Sequence, residues 1–441
     1  MNVNKAIVSM LLVLGALGVQ AFERKVWIKG VTDKPAVDYR CGETMTFTLE
    51  LAGPKEDVAA AGSLLDWERT GDDLIRETGR VDIARGPFVY KTKTDKPGFV
   101  RLQAWLLDKD GKRGDWKRPF FDGGAGAEIE KLEAHPEPKD FDAFWKGQFA
   151  RLDLVPMKAD LVQVTNAWDR VRVFAVRIDC AGLRPVTGYL SYPREIEQGK
   201  TFPARLTLRG YSGDNCVHKT PNRGFSLGEI RLDINAHGLK LAEFGATDAD
   251  TKALRWEIRS HDQTYAFDPE QNADPETAYF NGMVLRVKRA LQYLTTVKGW
   301  NGKDLIASGG SQGGLQTIWA AACGEGVTLA ESGITWNCDM FTNGTARMDP
   351  KSGICRGPWY IPWVDALGYY DAVNFARRIP KSCRTVITRA GLGDYTCPPT
   401  GLAKLWKAIP GNKEICWMQG SQHGYQPPEK YEGRDIVRTA K

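Results

Sequence analysis

The stretch LIASGGSQGGLQTIWAAAC, Leu305 to Cys323, decides the fold. Leu305–Ser308 reads as a short apolar strand and Gly314–Cys323 as an apolar helix, with Gly309-x-Ser311-x-Gly313 between them. A strand that turns sharply into a helix leaves no room for β-carbons beside the tip of the turn, so glycines flank the residue placed there. The turn exposes the hydroxyl of that residue, and the helix N-terminus behind it favours negative charge. The same glycines would suit a plain strand-to-helix loop or a phosphate cradle. No Gly-Lys-[Ser/Thr] follows, however, and no acidic residue is placed for a ribose. Ser311 therefore reads as a nucleophile.

A serine hydroxyl at neutral pH needs a base, and histidine is the usual one. In a strand-turn-helix elbow of this kind the chain order is serine, acid, histidine. Of the five histidines only His423 lies after Ser311, in Gln422-His-Gly-Tyr425, just past an apolar run at Glu414–Met418. The acid should follow a strand between the two. Asp394, in Gly391-Leu-Gly-Asp-Tyr-Thr-Cys-Pro-Pro399 after the run Thr385–Thr388, fits better than Asp339, Asp349, Asp365 or Asp371. Asp371 lies in a helical pattern and is expected to face solvent or cap a turn. Negative charge on a tetrahedral intermediate needs backbone N–H donors, one of them from the residue after the serine. Gln312 supplies that one. Tyr211 is the candidate for the second, because Gly210 follows the strand Ala204–Leu208 and lets the Tyr211 N–H turn inward.

Around this site the chain has two unlike parts. Apolar runs at Ala204–Leu208, Ile230–Ile234, Leu305–Ser308, Thr385–Thr388 and Glu414–Met418 alternate with helical patterns such as Gly282–Thr296. Such alternation indicates a parallel sheet with helices on both faces. Residues 22–125 instead show short alternating strands, Lys25–Lys29, Met45–Leu51, Phe88–Thr92 and Phe99–Leu107, the last entering a turn at Asp108–Lys112. They predict an immunoglobulin-like β-sandwich acting as an accessory module, either passive or sugar-binding. The glycine run Asp122–Ala127 reads as the boundary. The aromatic segment Trp359–Tyr370 is read either as a cover over the site or as core.

Met1–Ala21 has the form of a signal peptide: a short basic start ending in Lys5, an apolar run, and small residues Val19 and Ala21 at the cleavage position. The expected domains are thus 1–21 signal peptide, 22–125 β-sandwich and 126–441 α/β enzyme, in an exported protein, periplasmic or secreted. No later stretch is apolar enough to predict a membrane-spanning helix. The 441 residues carry 60 Lys+Arg against 54 Asp+Glu, a net charge of +6 with no basic block, which points away from nucleic acid. Nine cysteines are scattered without zinc-type spacing, so most are read as small buried apolar residues.

From about Glu128 to Tyr431 the chain resembles carbohydrate esterase family seven, the acetyl xylan esterase and cephalosporin C deacetylase group. The resemblance is carried by Asp140-Phe-Asp-Ala-Phe-Trp145, Arg209-Gly-Tyr-Ser-Gly213, Gly309-Gly-Ser-Gln-Gly-Gly314, Tyr370-Asp-Ala-Val-Asn-Phe-Ala376 and Gly391–Pro399. It implies an α/β-hydrolase fold and removal of acetyl groups from sugars. It also implies Ser311 as nucleophile, Asp394 as acid, His423 as base, and the Tyr211 and Gln312 amides as oxyanion donors. Two positions depart from the family pattern: Ala236-His237-Gly238 where Arg-Gly-Gln is usual, and Gly424 where a glutamate usually follows the histidine. The expected partner is an acetylated saccharide, with no metal or cofactor required, and a homo-oligomer is left open. A prolyl-oligopeptidase-type peptidase and a non-catalytic sugar-binding protein on a hydrolase fold are the alternatives. The first would need a β-propeller for which about 100 residues are too few.

Overall fold

The computed structural model describes residues 25–114, 118–165, 169–211, 227–341 and 361–441, and Met1–Ala21, expected from the sequence to be a signal peptide, lies outside them. Seven strands come first: β1 (Trp27–Thr32), β2 (Met45–Ala52), β3 (Leu64–Gly71), β4 (Glu77–Asp82), β5 (Phe88–Thr92), β6 (Gly98–Leu106) and β7 (Phe120–Ala127). They form two antiparallel sheets, ordered β1-β2-β5 and β4-β3-β6-β7. Period-two burial drives the pairing: Met45, Phe47 and Leu49 of β2, with Leu102, Ala104 and Leu106 of β6, enter the shared core. Arg69 of β3 is fully buried. It ties the two sheets through Thr92 Oγ1 (3.2 Å) and the Lys93 carbonyl (3.1 Å), with Asp73 balancing its charge.

The glycine run Asp122–Ala127, expected as a boundary, forms the last six residues of the buried strand β7. Its glycines answer to close packing rather than to flexibility. The loop after a distant strand lies directly on β7, so that a β-carbon on Gly393 would stand 2.0 Å from the Asp122 carbonyl oxygen.

The remaining strands build one ten-stranded sheet: β8 (Ala159–Gln163), β9 (Val171–Ile178), β10 (Val186–Pro193), β11 (Phe202–Leu208), β12 (Ile230–Ile234), β13 (Trp300–Gly310), β14 (Leu329–Gly333), β15 (Arg384–Gly391), β16 (Lys413–Met418) and β17 (Asp435–Ala440). Their order is β17-β16-β15-β14-β13-β11-β12-β10-β9-β8. The expected parallel sheet is present only at the centre, from β12 to β16. β8, β9, β10 and β17 add antiparallel edges, so the sheet is mixed. Helices Tyr279–Leu294 and Gln312–Ala322 are buried around nearly their whole circumference. The cations this buries in the first helix reach backbone oxygens: Arg286 the Ala236 carbonyl, Lys288 that of Cys323, and Arg289 those of Leu152 and Val155.

Buried apolar side chains from the small sheets and from the large one form a single contiguous cluster. Phe99 meets Trp417 at 5.5 Å and Trp27 stacks on Tyr431 at 5.5 Å. No helix among the described residues is long and apolar enough to cross a membrane. The seven described cysteines are all free thiols.

Candidate active site

Open parallel sheets place ligands beyond the carboxyl ends of their strands, and three of the residues singled out by sequence stand there. Ser311 follows β13, Asp394 lies three residues past β15, and His423 lies in the loop after β16. Ser311 is the N-cap of helix Gln312–Ala322 and has φ 59° and ψ −122°, a backbone conformation that residues with a β-carbon rarely adopt. Bonds from the Ser311 N–H to the Gly333 carbonyl (2.9 Å) and from the Trp336 N–H to the Ser311 carbonyl (3.1 Å) hold it there. The helix behind it packs so tightly on β11 that a β-carbon at Gly313 would come within 2.3 Å of the Leu208 carbonyl oxygen.

Asp394 is fully buried, and its carboxylate is the hub of the acid loop. Oδ1 accepts the backbone N–H groups of Thr396 (3.0 Å) and Cys397 (2.9 Å), while Oδ2 lies 3.0 Å from His423 Nδ1. A carboxylate can only accept, so Nδ1 carries the proton and Nε2 keeps its lone pair, the tautomer a base requires. His423 sits at the tip of a turn closed by two backbone bonds between Gln422 and Tyr425 (3.0 and 3.2 Å). Arg389 adds a bond to the His423 carbonyl (2.9 Å).

Tyr211 and Gln312 occupy matching places on neighbouring strands. β11 and β13 pair with Leu208 opposite Gly309, and each candidate lies three residues past that pair. Gln312 is the first residue of its helix, where the N–H has no intrahelical acceptor. Tyr265, which the sequence reading passed over, connects the two. Its ring stacks on Tyr211 at 4.2 Å and its hydroxyl donates to Gln312 Oε1 at 2.7 Å.

His237, at the first departure from the family pattern, is fully buried against this pair. It lies edge-on to Tyr265 at 4.4 Å, with Nδ1 2.9 Å from the Tyr279 hydroxyl. Gly424, the second departure, is exposed and has open space around it.

Cys397 is a second residue whose role the sequence did not reveal. Its buried sulfur lies 3.7 Å from His423 Nδ1 and also meets Ser311. Burial, reinforced by the Asp394 charge, pushes this thiol well above its ordinary pKa, so it stays protonated and is a poor nucleophile. Asp394, Cys397 and His423 also bring three potential metal-ligand atoms within 4.8 Å of one another. Their mutual bonding accounts for that grouping, because Asp394 Oδ2 is spent on the imidazole and the sulfur holds its proton.

Among the competing carboxylates, Asp371 is buried rather than solvent-facing. It caps helix Ala372–Ala376 through the Val373 N–H and also accepts from Asp339 and Met340. Asp339 pairs with Lys404, Asp365 is exposed, and Asp349 lies outside the described residues. The described part of the aromatic segment belongs to the core: Tyr370 packs on Trp145 and Phe280, and Trp363 on His135 and Phe341. Trp359 and Tyr360 lie outside the described residues.

The small sheets brace both loops of the site. Gln419 exchanges two bonds with the Gly124 backbone (3.1 and 2.6 Å), and Phe120 packs on Tyr425 of the histidine turn at 4.9 Å. Arg101 binds Asp122 through two nitrogens (2.8 and 2.6 Å) and lies 4.1 Å over the ring of Tyr395, beside Asp394. Burial raises the pKa of the Asp122 carboxyl above the usual carboxylate value, and Arg101 opposes that shift.

Residues 128–340 match the family model described as acetyl xylan esterase (AXE1). The acetyl esterase Axe7A of Xylanibacter ruminicola is 29% identical over 371 residues, covering 80% of this chain and 77% of that protein. Among solved structures, the acetyl xylan esterase from Paenibacillus sp. R4 superposes with a TM-score of 0.51 at 21% identity, covering 67% of this chain and 93% of its own. Acetyl xylan esterase 1 from Thermoanaerobacterium sp. JW/SL YS485 gives 0.50 at 16% identity, covering 69% and 94%. The two structures share the fold of the larger part. The family model thus matches across the Ser311 elbow, and the Xylanibacter ruminicola relative aligns along four fifths of this chain.

Proposed function

We propose that the protein is a serine carboxylic-ester hydrolase that removes acetyl groups from xylan-type oligo- or polysaccharides through an acetyl-enzyme. The observation that carries the mechanism is the buried Asp394 carboxylate holding His423 Nδ1 at 3.0 Å, at the same sheet end as the strained Ser311 elbow. In this reading His423 Nε2 takes the Ser311 proton as the hydroxyl attacks the acetyl carbonyl. The Tyr211 and Gln312 N–H groups receive the oxyanion, and the sugar alkoxide leaves with the proton from His423. Water then repeats the route on the acetyl-enzyme.

The finer architecture belongs to the same proposal: an α/β-hydrolase domain preceded by an immunoglobulin-like sandwich that ends with β7 at Ala127. Among the described residues, the N-terminal part forms seven strands in two sheets, which supports a sandwich over the radial blades that the peptidase reading needs. An acyl-length series tests the activity. Acetyl esters of a common alcohol should be cleaved at least about ten-fold faster than butyryl or longer ones, and equal rates would remove the deacetylase assignment. Export rests on the Met1–Ala21 pattern alone. N-terminal sequencing of the exported chain should begin near Phe22, and an intact Met1 on exported protein would contradict cleavage.

A further inference from the structure

We propose that the cleft between the β6–β7 hairpin and the His423 turn is a saccharide subsite that seats one sugar ring of the acetylated chain next to the base. The proposal rests on the esterase reading above and deepens it, by making the N-terminal sheets part of the substrate site.

The pleat of β6 sends Leu102, Ala104 and Leu106 into the core and puts Arg101, Gln103 and Trp105 on the opposite, half-buried face. A face made only for packing would be apolar, and a face made only for solvent would not carry a tryptophan between partly covered polar groups. Arg101, nearest the enzyme core, is fully used by Asp122 and Tyr395. Farther along the strand, Gln103 and Trp105 pass the edge of that contact and line a cleft of about 180 Å³, together with Arg118, Phe120, Asp122 and Gln422. Gln103 donates to Asp122 at 3.1 Å, which fixes its amide, and the Arg113 guanidinium lies 3.7 Å from the Trp105 ring centre.

The far wall is what connects this cleft to the chemistry. Gln422 directly precedes His423, and the two bonds of the Gln422–Tyr425 turn tie its position to that of the imidazole. Two side-chain amides and a guanidinium can exchange hydrogen bonds with ring hydroxyls, and an indole offers a flat surface for the C–H face of a sugar. The volume is below the roughly 300–1,000 Å³ of sites for drug-sized ligands, which suits one ring rather than a longer segment. The cleft therefore favours esters whose alcohol part is a sugar over esters whose alcohol part is a simple aryl group.

The test compares kcat/KM on acetylated xylo-oligosaccharide with kcat/KM on 4-nitrophenyl acetate, for wild type, Trp105→Ala and Gln422→Ala. Trp256→Ala serves as control, a residue 69% exposed on a helix that takes no part in the cleft. The oligosaccharide-to-aryl ratio should fall about ten-fold in each cleft variant and stay at the wild-type value in the control. Unacetylated xylo-oligosaccharide should also inhibit aryl acetate cleavage more weakly in the cleft variants. If Trp105→Ala does not fold, Gln422→Ala decides alone, since its side chain is half-exposed on a turn. Unchanged ratios in a wild type and variants that all deacetylate the oligosaccharide overturn the subsite only. A wild type that cleaves the aryl ester and never the oligosaccharide overturns the substrate reading itself.

Discussion

Ser311→Ala should lower kcat for acetate release by about 10⁵–10⁶-fold while leaving the thermal melting temperature unchanged. The hydroxyl is the only atom lost, and alanine at φ 59° carries the same backbone strain as serine. Ser311→Gly should be equally inactive and yet more stable than wild type. A non-glycine residue in so sparsely populated a region costs about 1–3 kcal/mol, and glycine removes that cost. Recovering even 1 kcal/mol in a chain of this size should raise the melting temperature by about 1–3 °C. The pair of variants separates the chemical role of the hydroxyl from its structural cost. An alanine variant retaining more than about 1% of activity would place the nucleophile elsewhere. Cys397 would be examined first, since its sulfur already meets both Ser311 and His423. Its protonated state at neutral pH is the reason to expect it silent.

What could be read from sequence was whatever a local rule forces. The glycines around Ser311 are required by the turn itself, so the elbow was visible within a dozen residues. The chain-order rule then reduced five histidines to one. The paired Asp394 and His423 stand on loops after β15 and β16, where strand-end reasoning put them. The glycine run Asp122–Ala127 was legible as a boundary but not as a strand, because glycine marks both turns and strands pressed closely from outside. Only the position of the Gly391–Asp394 loop, far away in sequence, distinguishes the two. Tyr265 and Arg389 were not legible, because their roles exist only through partners brought together by the sheet. The antiparallel edges were missed for a related reason: β8 carries exposed Leu161 and Val162 and shows no clean alternation. The resemblance to carbohydrate esterase family seven covered the larger part well and was silent on the small sheets, since its motifs lie outside them.

Asp394→Asn should reduce kcat by about 10⁴-fold with little change in KM and a fold that stays intact. In wild type three donors converge on one carboxylate: the N–H groups of Thr396 and Cys397 on Oδ1, and the His423 Nδ1 proton on Oδ2. An asparagine has a single carbonyl oxygen for that work. The cheaper orientation keeps the oxygen on the two backbone donors and turns the NH₂ toward Nδ1. The imidazole must then accept at Nδ1 and carry its proton on Nε2, the tautomer that cannot take a proton from Ser311. The opposite flip would aim two N–H donors at two others inside a fully buried loop and would unfold it locally. No neighbouring acid can stand in. Asp122 is near enough to Asp394 for their charges to interact, but Arg101 and Gln103 occupy it. The proton NMR signal of the Asp394-bonded Nδ1–H should vanish in the variant, while circular dichroism and melting stay close to wild type. A variant within ten-fold of wild-type kcat would mean that the carboxylate is not what orients His423, and a rise in KM alone would make Asp394 a binding residue instead.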